Sequence, residues 1–255
     1  MENIKFSVVI PAYNAEKTII KTISSCFEQE YQPLEIIVIN DCSTDQTLGM
    51  LYDHYRDNSI VKIFSFEKNK GVSAARNFGW EQAKGDFVAF LDSDDTWRTD
   101  KLKIIQDILQ NNNTILVLGH NYTNDTCNFL KQRNSKIKIL SYRDFLIRNY
   151  FNTSSFIVSN KINEWFDEKM RYTEDHDLYL RISYANNIYY IDEYLTLLNR
   201  PQLSKGGLSG NRFKMRKGEM YMYYKFCINH PSFIITLPFF FIFSLIKYLY
   251  KTLNG

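Results

Sequence analysis

Five apolar residues run directly into an acidic turn in the segment Phe87-Val88-Ala89-Phe90-Leu91-Asp92-Ser93-Asp94-Asp95. The apolar part is typical of a buried strand, and the carboxylates follow where that strand ends. Like charges this close repel one another unless a cation is present. Asp92 and Asp94 are two residues apart, so their side chains point the same way in an extended chain and can share one site. Oxygen ligands without His or Cys favour Mg²⁺ or Mn²⁺, which keep positions open for water and phosphates.

The same turn has a second interpretation. Asp94 or Asp95 would cap the N-terminus of a helix that begins near Trp97 or Arg98, because a carboxylate accepts hydrogen bonds from the free N–H groups of a first helical turn. The turn by itself leaves the metal site and the helix cap open.

The first hundred residues alternate short apolar runs with helical patterns, which predicts βαβ units and an α/β fold with a mainly parallel sheet flanked by helices. The predicted strands are residues 6–10, 34–39, 61–66 and 87–91, and the predicted helices are 15–27, 44–55 and 72–83. Each strand ends in polar, turn-forming residues. Since ligands of open α/β sheets bind beyond the carboxyl ends of the strands, we expect these turns to meet in one crevice.

The middle of the chain is less regular. It predicts helices at residues 101–110, 142–149 and 175–185, and strands at 115–118, 156–158 and 188–191. The chain of 255 residues is long enough for one large domain with a smaller C-terminal appendage. We therefore predict a domain at residues 1–200 and a helical extension at 201–255.

Composition narrows the class of protein. The apolar share of 45% and the charged share of 23% are ordinary for a globular domain. The four cysteines form no CxxC pair, which predicts neither a zinc site nor a disulfide framework and fits a reducing cytoplasm. The N-terminus lacks the apolar stretch of a secretion signal, so we do not expect export. The first turn contains no GxGxxG, which argues against a dinucleotide-dependent oxidoreductase.

The last sixty residues carry nine lysines and arginines against one acid, Glu219. A basic tail after an acidic body predicts an anionic partner, and no nucleic-acid recognition motif accompanies it. Residues 211–226 are helical in pattern, and residues 233–246 contain no charge. That uncharged run is shorter than the roughly 20 residues of a spanning helix. It predicts a helix that is flanked by Lys247 and Lys251 and lies on an anionic membrane, or a helix docked on the core or on a second subunit.

Five segments in order resemble the family 2 glycosyltransferases of the GT-A fold, and the resemblance covers about residues 5–200. The segments are Val8-Val9-Ile10-Pro11-Ala12-Tyr13-Asn14, Val38-Ile39-Asn40-Asp41-Cys42-Ser43-Thr44-Asp45, Asn69-Lys70-Gly71-Val72-Ser73-Ala74-Ala75-Arg76-Asn77, the acidic turn, and Thr173-Glu174-Asp175. Each alone is a weak signal, but together they are specific. The resemblance implies an enzyme that uses a nucleotide-sugar donor with Mn²⁺ or Mg²⁺.

The resemblance also implies which residues bind the nucleotide-sugar donor. Asp41 would accept a hydrogen bond from the imide N–H of a uracil or thymine base, with Tyr13 near the ring and Pro11 shaping the pocket. Arg76 would face the nucleotide or its phosphates, and Lys70 and Gly71 would lie on the loop before it. Asp94 would bind the metal that bridges the two phosphates. Asp92 would support the metal or the ribose, with Ser93 beside the nucleotide. Asp41 is equally a good turn residue, and Lys70 a good solvated cation.

Acids cluster again in Thr173-Glu174-Asp175-His176-Asp177, where a helix is predicted to begin. A carboxylate at a helix N-terminus stays ionised because the helix dipole favours its charge. The resemblance implies that Asp175 is the general base, and Glu174 is the alternative candidate for this role. It also implies that the reaction inverts the configuration at the anomeric carbon. The alternative is a helix capped by Thr173. His176 has no partner at metal-ligand spacing and is interpreted as structural.

A loop rich in Gly and Ser follows residue 200. Arg200, Ser204 and Lys205, with Arg212 or Lys214, would close over the pyrophosphate once the donor binds. The Gln-x-x-Arg-Trp element of processive relatives is absent, so addition of one sugar is favoured over polymerisation. The leading hypothesis is an inverting transferase that acts on a lipid-linked or surface glycan acceptor at the inner face of the cell membrane. An inactive nucleotide-sugar sensor on the same fold is the alternative, and the oligomeric state stays open.

Overall fold

The computed structural model describes residues 3–131, 136–199 and 210–253. Its first half is a parallel sheet that runs in the order β3-β2-β1-β4, with helices in the connections. The strands are β1 (Phe6–Ala12), β2 (Glu35–Asn40), β3 (Val61–Ser65) and β4 (Phe87–Phe90). The helices are α1 (Ile19–Phe27), α2 (Thr47–Tyr55) and α3 (Val72–Gln82). These elements agree with the prediction, except that α1 and α2 begin three or four residues later.

The second half adds strands of mixed direction. They are β5 (Thr96–Trp97), β6 (Val117–Thr123), β7 (Ile137–Leu140), β8 (Phe156–Ser159) and β9 (Ile188–Leu197). The sheet continues β4-β8-β6-β9-β5, and β7 pairs with β9. β8 is antiparallel to both neighbours, whereas β6 and β9 are parallel. The α/β class is confirmed, with the parallel pairings confined to the first four strands and to β6 with β9 among the described residues.

Helices of the second half are α4 (Lys101–Asn111), α5 (Thr126–Phe129), α6 (Tyr142–Ile147) and α7 (Glu174–Ala185). A short 3₁₀ turn, Thr153–Ser155, precedes β8. The sequence did not predict β5, β7 or α5, which are two to four residues long. The predicted ends of β6 and β9 were several residues too early, because polar residues follow the apolar start of each strand.

Two hydrophobic cores lie on opposite faces of the sheet. Val8 and Ile10 belong to one core, and Val9 between them belongs to the other. Successive side chains of a strand point to opposite faces, so a strand covered on both sides must be apolar throughout. This explains the continuous apolar runs in the sequence. It also leaves the carboxyl ends of the strands as the place where polar side chains can gather.

The C-terminal extension forms α8 (Arg212–Asn229), a 3₁₀ turn (Pro231–Thr236) and α9 (Leu237–Leu253). Met222, Tyr223 and Phe226 of α8 are buried in the same core as the strands. The predicted boundary at residue 200 and the glycine-rich loop lie outside the described residues. The apolar helical stretch Pro231–Leu249 is long and apolar enough to cross a membrane. This stretch extends beyond the uncharged run of residues 233–246 at both ends, because it includes the start of the 3₁₀ turn and Lys247.

Candidate active site

One cavity of about 1430 Å³ opens at the carboxyl ends of β1, β2 and β4. Most of the predicted site residues that the structure describes line this cavity: Pro11, Tyr13, Asp41, Lys70, Gly71, Arg76, Asp92, Ser93, Asp94, Glu174, Asp175 and Arg212. Lys214, the predicted alternative to Arg212, is exposed on α8 and does not line it. Arg200, Ser204 and Lys205 lie outside the described residues. The crevice predicted from the strand ends is therefore present, and residues far apart in sequence meet in it. The individual roles of these residues stay predictions.

Asp41 is buried just after β2, and its carboxylate holds the loop between β3 and α3 in place. The backbone N–H groups of Lys70 and Gly71 donate to its two carboxylate oxygens at 2.7 and 2.8 Å. Gly71 has a φ of 92°, in the region that favours glycine. Asp41 thus fixes the loop that leads into α3, a contact that the sequence did not predict. Tyr13 is half exposed on the facing rim of the cavity.

The acidic turn after β4 directs its carboxylates to different places. Asp92 is partly exposed and pairs with the Arg76 guanidinium at 2.7 Å. Asp95 is only 5% exposed and accepts hydrogen bonds from the Ser154 hydroxyl at 2.6 Å and from the Asn199 N–H at 3.3 Å. Burial, with the nearby Asp92 charge, raises the pKa of the Asp95 carboxyl well above its usual range. Asp95 is therefore a structural member of the turn.

The helix-cap interpretation of this turn is wrong. Residues 96 and 97 form β5, and α4 begins only at Lys101 with Asp100 before it. Asp94 and Asp95 lie too early in the chain to cap that helix. Asp94 is half-buried in the cavity wall.

Asp92 and Asp94 provide the oxygen donors that Mg²⁺ and Mn²⁺ prefer. Within the described ranges, no group of three or more His, Cys, Asp or Glu side chains is arranged to hold a metal ion. Two carboxylates still fit such a cation, because Mg²⁺ typically takes one or two protein carboxylates and completes its shell with water and substrate phosphates. The donor set therefore fits a metal that binds together with a diphosphate.

Arg76 joins the acidic turn to the start of α7. Its side chain is 4% exposed, and its guanidinium donates to Asp92 at 2.7 Å and to Glu174 at 3.1 Å. The Nε atom is buried without a partner in the described part of the chain. A buried cation between two carboxylates links both halves of the cavity electrostatically. The sequence predicted a nucleotide contact for Arg76, whereas the structure shows its guanidinium engaged by two acids.

Helix α7 opens with Glu174 and Asp175 at the cavity wall. Burial, and then the neighbouring Asp175 charge, raises the pKa of Glu174 to about 7, although Arg76 opposes the shift. Asp175 is half-buried, and its carboxylate accepts hydrogen bonds from the Asn149 amide at 2.9 Å and the His176 N–H at 2.8 Å. The Asn149 contact orients one carboxylate oxygen, and no pattern in the sequence predicts it.

Thr173 occupies the N-cap position of α7, as the alternative predicted, but its side chain makes no capping hydrogen bond. Its hydroxyl donates to the Tyr172 carbonyl at 2.6 Å, and its backbone is left-handed with a φ of 60°. His176 is buried with its Nε2 2.6 Å from the Phe145 carbonyl, in agreement with a structural role. Helix α8 approaches this turn closely: a Cβ added at Gly218 would lie 2.6 Å from the Thr173 hydroxyl. The C-terminal extension therefore supports the segment that carries Asp175.

The fold is shared by solved glycosyltransferases. The structure of TarS residues 1–349 from S. aureus in complex with UDP-GlcNAc matches with a TM-score of 0.69 at 24% identity, over 88% of this chain and 66% of that one. The mannosyltransferase PcManGT from Pyrobaculum calidifontis, in complex with GDP-Man and Mn²⁺, matches with a TM-score of 0.65 at 15% identity, over 100% of this chain and 77% of that one. The chain thus has the fold of the GT-A glycosyltransferases.

The chain belongs to glycosyltransferase family 2. The profile of the family "Glycosyl transferase family 2" matches residues 7–166. The chain is also 30% identical over 217 residues to the UDP-Glc:alpha-D-GlcNAc-diphosphoundecaprenol beta-1,3-glucosyltransferase WfgD of Escherichia coli, covering 85% of this chain and 84% of that one. The protein is therefore a glycosyltransferase, as the five sequence segments indicated.

Proposed function

We propose that the protein is an inverting, non-processive glycosyltransferase that moves one sugar from a UDP- or dTDP-sugar to a lipid-linked or cell-surface glycan acceptor. One observation carries the proposal: Asp94 and Asp175 line the same cavity, and Arg76 lies between their two turns. A diphosphate and an acceptor hydroxyl can therefore meet in one place. The E. coli relative is named for a UDP-sugar and a lipid-diphosphate acceptor, which supports both substrate classes.

The donor nucleotide would bind between Tyr13 and the loop that Asp41 holds. Asp41 keeps Lys70 and Gly71 at the cavity wall through its two backbone contacts. Its remaining lone pairs are available to the imide N–H of a pyrimidine base. Pro11 lies at the end of β1 and shapes the same wall.

The diphosphate would lie against the acidic turn. Asp94, supported by Asp92, would hold Mn²⁺ or Mg²⁺ there, and the chemistry supplied by such a cation would be neutralisation of charge on the departing nucleoside diphosphate. Arg76 balances the charge of Asp92, so the turn is not a bare cluster of anions. Arg212, together with Arg200, Ser204 and Lys205, would close over the pyrophosphate.

Asp175 would act as the general base. It takes the proton of the acceptor hydroxyl while the hydroxyl oxygen attacks the anomeric carbon and the bond from that carbon to the phosphate oxygen breaks. Attack from the face opposite the leaving group inverts the configuration. Glu174 is the weaker candidate because Arg76 holds its carboxylate and burial favours its protonated form.

The acceptor would be lipid-linked, which places the enzyme at the inner face of the cell membrane, and the basic C-terminal tail would make the membrane contact. The absence of the Gln-x-x-Arg-Trp element supports transfer of one sugar rather than chain polymerisation.

Thermal stabilisation by a panel of nucleotide sugars, each with and without Mn²⁺, tests the donor and metal parts together. UDP- or dTDP-sugars should raise the melting temperature only when the metal is present. Asp94→Asn should remove this metal dependence. Asp95→Asn is the matched control in the same turn, and it should retain the metal dependence because the Asp95 carboxyl is buried and is held by Ser154 and Asn199. Equal metal-dependent stabilisation of the Asp94 variant and the wild type would exclude the proposed metal ligand.

A further inference from the structure

Helix α9 and the 3₁₀ turn that leads into it expose a continuous apolar face. Ile235 is 78% exposed and Phe239 70%, and the exposed large side chains continue with Ile242, Ile246 and Leu249. These residues are spaced by four, three, four and three, which places them on one side of a helix. We call them the outer face of α9. A contiguous apolar surface on an otherwise polar protein marks a contact with something apolar.

We propose that α9 lies flat in the surface of an anionic lipid bilayer, with its outer face in the apolar layer and its inner face still packed on α8. The inference rests on the proposed function, because the bilayer would carry the lipid-linked acceptor.

Charge favours a lipid surface over a second copy of this chain. Lys225 of α8 is paired with Asp167 and Asp177, and Glu219 is paired with Arg216 and Lys247, whereas Lys214 and Lys217 of α8 are exposed and present positive charge. Two copies packed through this region would bring like charges together. An anionic bilayer instead attracts them, since basic residues near its surface each contribute to binding.

The inner face shows why α9 lies on the membrane instead of crossing it. Ser244 is fully buried and donates to Glu219 of α8, and Lys247 pairs with the same carboxylate. Phe240 stacks on Tyr223 with ring centroids 4.8 Å apart. A helix that left α8 to span the bilayer would lose the Ser244 and Lys247 contacts with Glu219 and the stack of Phe240 on Tyr223.

Burial acts to raise the pKa of Glu219, but Lys247 and Arg216 outweigh it, and the net pKa of this carboxyl lies below its usual range. The charged contact that holds α9 on α8 therefore persists at neutral pH. It keeps the outer face directed away from the protein.

The same helix reaches the catalytic cavity. Lys247 and Tyr248 line it, and the Lys247 ammonium lies 3.3 Å from the Ile147 carbonyl. Asn149, two residues further on, donates to Asp175. A bilayer in contact with α9 thus lies beside the Asp175 side of the cavity. The acceptor hydroxyl can reach the proposed base while its lipid stays in the membrane.

Vesicle sedimentation of the full chain tests the proposal, with vesicles of phosphatidylglycerol or of phosphatidylcholine alone. Phe239→Ser combined with Ile242→Ser should lower the partition coefficient on anionic vesicles by at least about tenfold, because two large apolar side chains no longer enter the interface. Leu130→Ser combined with Ile139→Ser is the control, since both residues are exposed and lie outside the cavity. This control should bind like the wild type. Lys217→Glu should weaken binding to anionic vesicles.

Three results would overturn the proposal. The first is unchanged vesicle binding by the outer-face variant. The second is loss of a dimer in light scattering by that variant with vesicle binding intact, which would assign the face to a second copy. The third is retention of the wild type in membranes after alkaline carbonate extraction, which would indicate a spanning helix.

Metal-dependent UDP binding separates this inference from the proposed function. The outer-face variant should bind UDP like the wild type, because neither substituted residue lines the cavity. If the wild type does not bind UDP but its vesicle binding depends on Phe239 and Ile242, the proposed function is wrong. The inference that the outer face of α9 binds a lipid surface is then still supported.

Discussion

Ser154 connects the acidic turn to the sheet beneath it, and its removal should weaken metal-dependent nucleotide binding. Its hydroxyl accepts from the Asp92 N–H at 3.0 Å and donates to the Asp95 carboxyl at 2.6 Å. Its carbonyl accepts from the Lys101 ammonium and the Trp97 indole, each at 2.9 Å. The residue is fully buried. Ser154 therefore holds both ends of the turn that presents Asp94.

Ser154→Ala leaves the Asp92 N–H without its hydroxyl partner and removes one of the hydrogen bonds to Asp95. An unpaired group in a buried site costs about 1–3 kcal/mol of stability. For a chain of this size each kcal/mol lowers the melting temperature by roughly 2–4 °C. We therefore expect a lower melting temperature for Ser154→Ala. We also expect a loss of about tenfold in its affinity for UDP with Mn²⁺, which corresponds to about 1.4 kcal/mol. Isothermal titration calorimetry with Mn²⁺ and with a chelator measures this affinity.

Ser155→Ala provides a matched control. Ser155 is the next residue and is also fully buried, but its hydroxyl has no partner among the residues that the structure describes. This variant should keep wild-type stability and affinity, because no hydrogen bond is lost. Equal effects of the two substitutions on metal-dependent affinity would refute the positioning role of Ser154. A loss in Ser154→Ala that is the same with the chelator would also refute it.

Three further predictions concern the segment that carries the proposed base. Asn149→Ala should lower kcat by about tenfold and leave the KM for donor unchanged, because it frees the proposed general base, Asp175, from its orienting contact. Steady-state kinetics with unchanged kcat would contradict this. Gly218→Ala should destabilise the protein by about 1–3 kcal/mol and lower kcat, since its new methyl group would lie 2.6 Å from the Thr173 hydroxyl. Gly49→Ala meets only an ordinary contact at 3.5 Å, so it should be neutral or stabilising in thermal melts. Glu174 has a pKa raised to about 7, so the wild type loses stability as pH rises through that value. The melting temperature of Glu174→Gln minus that of the wild type should therefore increase from about pH 5 to about pH 8, and a constant difference would exclude the shifted carboxyl.

The sequence predicted best what local pattern and strand order determine. The first four strands are apolar throughout because helices cover both faces of the sheet, and that pattern is visible without a structure. The polar turns after those strands had to converge once the strands were parallel. Hence Asp41, Asp92 and Asp94 were expected in one crevice, and they line one cavity.

Contacts between distant segments could not be predicted in this way. Whether Asp95 faces the cavity or the protein interior depends on Ser154, which lies 59 residues away. The pairing of Arg76 with Glu174 joins helices separated by 98 residues. No periodicity records which carboxylate a buried guanidinium will meet. The short strands β5 and β7 were missed for a related reason, since pairing with β9 stabilises them more than their own composition does.

In the proposed reaction, a metal-bound donor and the general base Asp175 act on one acceptor hydroxyl in this cavity. Turnover of Asp175→Asn, measured beside its affinity for a UDP-sugar with Mn²⁺, tests this claim most directly, and Glu168→Gln, another acid of the cavity wall, is the control. We expect kcat of the Asp175 variant to fall by about a hundredfold or more while donor affinity stays within about twofold of the wild type. Wild-type turnover by Asp175→Asn, or an equal loss in Glu168→Gln, would contradict the account.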